Sequence, residues 1–168
     1  MNALLAPTSD PALGRTWPAD FAPVRIATIG LRRTSPDCAL RARRFVAACC
    51  MAIGAPELAR HNAEQCVSEL CANCVDADFP RGRGWFFVQA FRVRSSLLVR
   101  VHDPVMILPS AHAVDVDALL ADPDMDVAIG GWGLSSMVEA FADSWSSGIG
   151  PRLKFVEFSV VSPLECFQ

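Results

Sequence analysis

Two runs rich in aromatic and β-branched residues, Trp85 to Val93 and Leu97 to Val101, are separated only by Arg94-Ser95-Ser96. A link that short cannot carry the chain back across a sheet, so the runs pair as an antiparallel hairpin. Two long stretches of helical period precede them with no strand between. Helices that arrive as neighbours, followed by strands that arrive as neighbours, predict an α+β sandwich instead of a doubly wound parallel sheet.

The first strand is expected over Val24 to Ile29, followed by a basic connection from Gly30 to Thr34. Ser35-Pro36-Asp37 then reads as an N-cap, a proline at the first helical position and an acid on the positive dipole end. The helix that follows gathers Leu40, Phe45, Val46, Cys49 and Ile53 on one face, and Gly54 stands where a C-terminal cap belongs. A second helix spans Pro56 to Ala77, with Leu58, Cys66, Leu70 and Cys74 as its apolar row. A third helix opens after Gly130-Gly131-Trp132-Gly133, with Leu134, Met137, Val138 and Phe141 at helical spacing. Phe155 to Val161 alternates as the last strand. Four prolines among small and polar residues make residues 1–23 a mobile tail, which leaves 24–168 as a single domain.

The chain has 168 residues, 52% of them apolar, which is enough to bury a core without a disulfide or metal staple. Its 15 basic residues against 18 acidic ones argue against a protein that works on phosphate backbones. No apolar run reaches the ~20 residues of a membrane span, and the first residues lack the pattern of a secretory signal. A cytoplasmic protein is expected. The seven cysteines are odd in number and fall mostly inside helical stretches, which suits core thiols in a reducing compartment.

Three features carry possible chemistry. Glu69 and Asn73 lie one helical turn apart, so a carboxylate and a carboxamide share one side of an otherwise apolar helix. They form either a solvated stripe or a magnesium and water site, because an amide oxygen suits a cation that keeps most of its waters. Asp103 ends an apolar strand, where its carboxylate either starts a turn or meets a ligand at the lip of the sheet. There it would accept hydrogen bonds only, and the exocyclic amine of adenine is a matching donor. Gly131 and Gly133 precede a helix start that either punctuates a loop or receives a phosphate on its free N–H groups.

Several tempting patterns fail. Gly131-Trp132-Gly133-Leu134-Ser135-Ser136 lacks the third glycine and the preceding strand of a dinucleotide fingerprint. Cys66, Cys71 and Cys74 have iron–sulfur spacing, but on a helix they lie roughly 140° and 80° apart from Cys66 at ~100° per residue and do not converge. Asp122-Pro123-Asp124-Met125-Asp126 begins like a calcium loop, yet Val127 and Gly133 occupy the positions that need glycine and glutamate. His61, His102 and His112 fit no metalloprotease spacing and read as surface or turn residues. The 103–130 stretch holds acids at 115, 117, 122, 124 and 126 with no Lys or Arg, a loop long enough to have a function of its own.

The order of the three features resembles the GHKL ATP-binding superfamily. Val67-Ser68-Glu69-Leu70-Cys71-Ala72-Asn73 lies on a helix, a hairpin ends in Asp103, and Gly131-Trp132-Gly133-Leu134 opens a helix. Ala42-Arg43-Arg44-Phe45-Val46 and Val138 to Trp145 add to the likeness, which is greatest to the small anti-sigma-factor serine/threonine kinase-like domains of bacteria. The resemblance implies a two-layer sandwich of a mixed, mostly antiparallel sheet with helices on one face. It implies ATP and Mg2+ as cofactors, Glu69 as general base, Asn73 as magnesium ligand and Asp103 as the adenine-reading aspartate. Gly131, Gly133 and Leu134 would abut the phosphates, with residues 110–128 as the lid. A sigma factor, an antagonist protein and a second copy of the chain are the implied partners. Pro104-Val105-Met106 stands where relatives carry glycines, which points to the alternative of a non-catalytic binding module of the same fold.

Overall fold

The computed structural model describes residues 8–10, 15–17, 22–76, 84–104, 138, 140–149 and 153–160. Within the N-terminal segment, β1 (Thr8–Asp10) and β2 (Arg15–Trp17) pair antiparallel. The main body is β3 (Val24–Arg32), α1 (Cys38–Ala52), α2 (Glu57–Asp76), β4 (Trp85–Val93), β5 (Ser96–Asp103), β6 (Ser144–Ile149) and β7 (Lys154–Val160). The five later strands form one sheet in the order β3-β4-β5-β7-β6, and among the described residues every pairing in it is antiparallel, where a mixed sheet was expected. The fold is α+β, with α1 and α2 packed together on one face of the sheet.

The hairpin forms as the short link requires, closed by Arg94 and Ser95, because Ser96 already pairs with Val93. Arg94 takes a left-handed φ of 55°, the conformation a two-residue hairpin loop needs. Strand β3 runs to Arg32, so the expected basic connection is partly strand, and Ile26 is extruded where the register shifts between Arg25 and Ala27.

Helix α1 begins differently from expectation. Asp37 is the N-cap and its side chain makes no capping bond, since the carboxylate accepts the Ser35 hydroxyl instead. The C-terminal end behaves as expected. Gly54 has φ +73°, its N–H donates to Met51 O, and the Ala55 N–H donates to Cys50 O, which together close a Schellman motif. Leu40 is exposed, and the buried face is Cys38, Ala42, Val46, Cys49 and Cys50. In α2, Leu58 is also exposed, and the buried row runs Ala59, Ala63, Cys66, Val67, Leu70, Cys71 and Cys74. The small residues of both helices face each other and the sheet, and large leucines at the ends face out.

The sheet contributes Leu31, Phe86, Val88, Leu97, Val99, Val101, Val156 and Phe158 to the same core. Val138 completes it, with Phe141, Ala142 and Trp145 packed alongside. Val138, Ala140 and Phe141 are helical, and the Ala142 N–H returns to Val138 O. The expected third helix therefore ends near Ala142, its start lying outside the described residues. Trp145 belongs to strand β6, which the sequence does not announce, because Ser144, Ser146, Ser147 and Gly148 carry no β-branched signal.

Candidate functional site

Glu69 and Asn73 are both half-buried, on the flank of α2 between its core row and solvent. The other flank of the helix faces α1, since Arg60 and Glu64 act electrostatically on Cys50, and Cys38 acts on Cys71. At ~100° per residue Glu69 and Asn73 therefore lie on the side of α2 turned away from α1. That side overhangs the β5 and β7 half of the sheet, which α2 contacts. The Asn73 Nδ2 is buried and has no hydrogen-bond partner among the described residues. An unmatched buried amide is costly, and such a group in a folded chain calls for an acceptor.

Asp103 lies beside the end of the same helix. Burial raises the Cys74 thiol well above its ordinary value, and next in importance is the negative charge of Asp103. The charges of Lys154 and Arg33 act on it in the opposite sense. So the last turn of α2, one residue beyond Asn73, meets the end of β5. Asn73, one residue before Cys74, is thus on the turn of α2 nearest Asp103, and Glu69 is one turn earlier on the helix.

Asp103 is not open at a lip. It is 2% exposed, and its Oδ1 accepts a hydrogen bond of 2.9 Å from Arg33 Nη2. Lys154 Nζ stands 3.5 Å from Oδ2, and Lys154 is the residue directly opposite Asp103 in the pairing of β5 with β7. The buried group is a triad of two cations and one anion. Sequence reading did not select Arg33 or Lys154, although a signal exists. Each of the three charges is the next residue on the core parity of a strand: Ile29, Leu31, Arg33; Val99, Val101, Asp103; and Lys154, Val156, Phe158. A charge at that position must be satisfied by another charge or a ligand.

Gly131, Gly133 and Leu134 lie outside the described residues, as do the acidic stretch 110–128 and His112. His61 is exposed as expected. His102 lies within β5 and not in a turn, with Nε2 2.8 Å from Gln89 Oε1. Cys66 and Cys71 are fully buried, and burial pushes both thiols up to about 12. They are packing residues of the helix core, held neutral, and not a loop cluster of ligands.

A second charged pair stands on the sheet face opposite the helices. Arg100 and Glu157 are paired at 2.9 Å with almost no exposure, and Ser146 donates to the second carboxylate oxygen. The Arg100 guanidinium lies between the rings of Phe91 and Phe155, 5.2 Å from each centroid. Its groups satisfy one another, on the far side of the sheet from Asn73.

Among the described residues no helix is long and apolar enough to cross a membrane. Neither a scan against protein-family models nor a search among curated proteins finds a match to this chain.

Proposed function

We propose that this chain is an ATP-binding regulator of the GHKL type, acting as a serine/threonine protein kinase on a partner antagonist protein and binding a sigma factor. The observation that carries this reading is the unmatched buried amide of Asn73, on the α2 turn whose neighbouring Cys74 feels the charge of Asp103 at the end of β5. Adenine would lie against Asp103, with the phosphates along the Glu69 and Asn73 flank, where Gly131, Gly133 and Leu134 would be called on to receive them.

Asn73 fits a hydrated magnesium ion in donor chemistry, since its amide oxygen is a hard ligand for a cation that keeps most of its waters. Turning the Asn73 amide by half a rotation replaces its buried nitrogen with oxygen at no steric cost. Magnesium would supply charge neutralisation for the triphosphate. Glu69 would accept the proton of the acceptor serine as its oxygen bonds to the γ-phosphorus and ADP leaves.

The test is phosphoryl transfer to a serine-containing antagonist. A Glu69→Ala chain should bind ATP as the wild type does and transfer at least about a hundredfold less phosphate. Equal transfer by both chains removes Glu69 from the chemistry.

One observation favours a second reading, a non-catalytic module of the same fold. Asp103 is already engaged by Arg33 and Lys154, which leaves adenine to compete for it. Titration with ATP in the presence and absence of magnesium, beside Asn73→Ala, separates the two readings. Magnesium-dependent binding that Asn73→Ala weakens supports the kinase, and no binding in any condition supports the module.

A further inference from the structure

We propose that Arg33 is an internal competitor of the nucleotide at Asp103, so that it sets how tightly and how selectively adenine is held. The proposal rests on the reading of Asp103 as the carboxylate that faces the base. It follows from where Arg33 is held and from what its guanidinium offers.

Arg33 follows the last residue of β3, and its backbone N–H donates to Gly84 O at 2.6 Å, which pins it to the start of β4. From there Nη2 reaches Asp103 Oδ1 at 2.9 Å, with the two side chains 7% and 3% exposed. The exocyclic amine of adenine would present the same kind of group to the same oxygen, an N–H donor aimed at a carboxylate. The difference is charge. A hydrogen bond from a cation is roughly twice as strong as one from a neutral donor, so the guanidinium holds Oδ1 against the amine. Because the pair is almost wholly buried, the guanidinium also fills the approach to Oδ1, so a base reaches that oxygen in the fraction of chains where Arg33 has swung away, and apparent affinity falls by that fraction.

Lys154 makes the exchange feasible. It faces the other oxygen, Oδ2, from the strand position opposite Asp103. When Arg33 leaves, Lys154 remains as countercharge, and the carboxylate is not left buried alone. One cation stays with the sheet while the other moves. Selectivity follows from the same geometry. Adenine can replace the guanidinium as a donor through its 6-amine, whereas hypoxanthine carries a carbonyl at that position and would set oxygen against the carboxylate.

The test is equilibrium titration of the full chain with ATP and with ITP, in magnesium, for the wild type and Arg33→Gln. Arg33→Gln should bind ATP at least about tenfold more tightly than the wild type, with ITP binding unchanged. A second measurement needs no variant: an arginine-directed dicarbonyl reagent, mapped by mass spectrometry, should modify Arg33 faster when ATP is present than when it is absent. Equal ATP affinity in the two chains, with Arg33 reactivity unmoved by ATP, overturns the competitor role and leaves the nucleotide reading standing. Failure of both folded chains to bind ATP overturns the nucleotide reading, and the competitor role with it.

Discussion

Gly148 shows how much a single position can decide. It stands directly opposite Phe155 in the pairing of β6 with β7, and a Cβ there would lie 2.5 Å from the tip of the Phe155 ring. That ring is buried and stacks on the Arg100 guanidinium, so it has little room to give way. Gly148→Ala should destabilise the fold by roughly 1–3 kcal/mol in chemical denaturation. Gly84→Ala is the matching control, since among the described residues nothing lies within 4 Å of its Cβ position, and it should change stability by less than about 0.5 kcal/mol. The charges of the buried triad were legible at this scale only as parity. Each falls where its strand would place an apolar residue, but parity cannot say which charge meets which. Glu69 and Asn73 were legible as a pair because one helical turn is a local rule.

At the scale of elements, local rules predicted the existence and type of α1, α2, β3, β4, β5 and β7, and missed β1, β2 and β6. Gly54 ended α1 as the left-handed cap its position suggested, because φ +73° costs glycine nothing and any other residue something. Gly54→Ala, with nothing among the described residues within 4 Å of the new methyl, should therefore cost about 1 kcal/mol through backbone strain alone, read from the midpoint of thermal unfolding. The start of α1 was less legible, since three capping-type residues in a row compete, and the Ser35 hydroxyl took up the Asp37 carboxylate. Leu40 and Leu58 were misplaced because hydrophobicity alone does not show that cysteine and alanine fill the narrow space between helices and sheet. Those thiols make a prediction of their own. Burial, aided for Cys50 and Cys71 by neighbouring groups, pushes Cys50, Cys66 and Cys71 from 9.0 up to about 12. Below pH ~9 both folded and unfolded chains keep them protonated, and stability does not depend on them. Between about 9 and 12 the unfolded chain ionises and the folded one does not, so stability falls as pH rises, by up to about 1.4 kcal/mol per pH unit for each thiol. Denaturation curves collected from pH 8 to 11 should show this loss, and Cys66→Ala should lessen its slope.

The whole molecule is a sheet with different chemistry on its two faces. The helix side is an apolar core that ends in the Arg33, Asp103 and Lys154 triad, and the other side holds the Arg100 and Glu157 pair between two phenylalanine rings. Breaking that second pair should be expensive. Glu157→Ala leaves a buried guanidinium uncompensated and should cost roughly 3–5 kcal/mol, whereas Arg100→Met combined with Glu157→Met should cost clearly less than that. If the double variant is as unstable as the single one, the pair does more than neutralise itself. The sequence by itself determined that α1 and α2 are helices and β3, β4, β5 and β7 strands, that the hairpin is antiparallel, and that Glu69 and Asn73 share one side of α2, because those properties depend on neighbours a few residues apart. Only the tertiary structure decided that β5 pairs with β7 and not with β6, and that Asp103 meets Arg33 across 70 residues and Lys154 directly opposite. Register between distant strands is set by how the whole core closes. A one-residue slip would turn every side chain to the other face, so no local pattern can specify those partners.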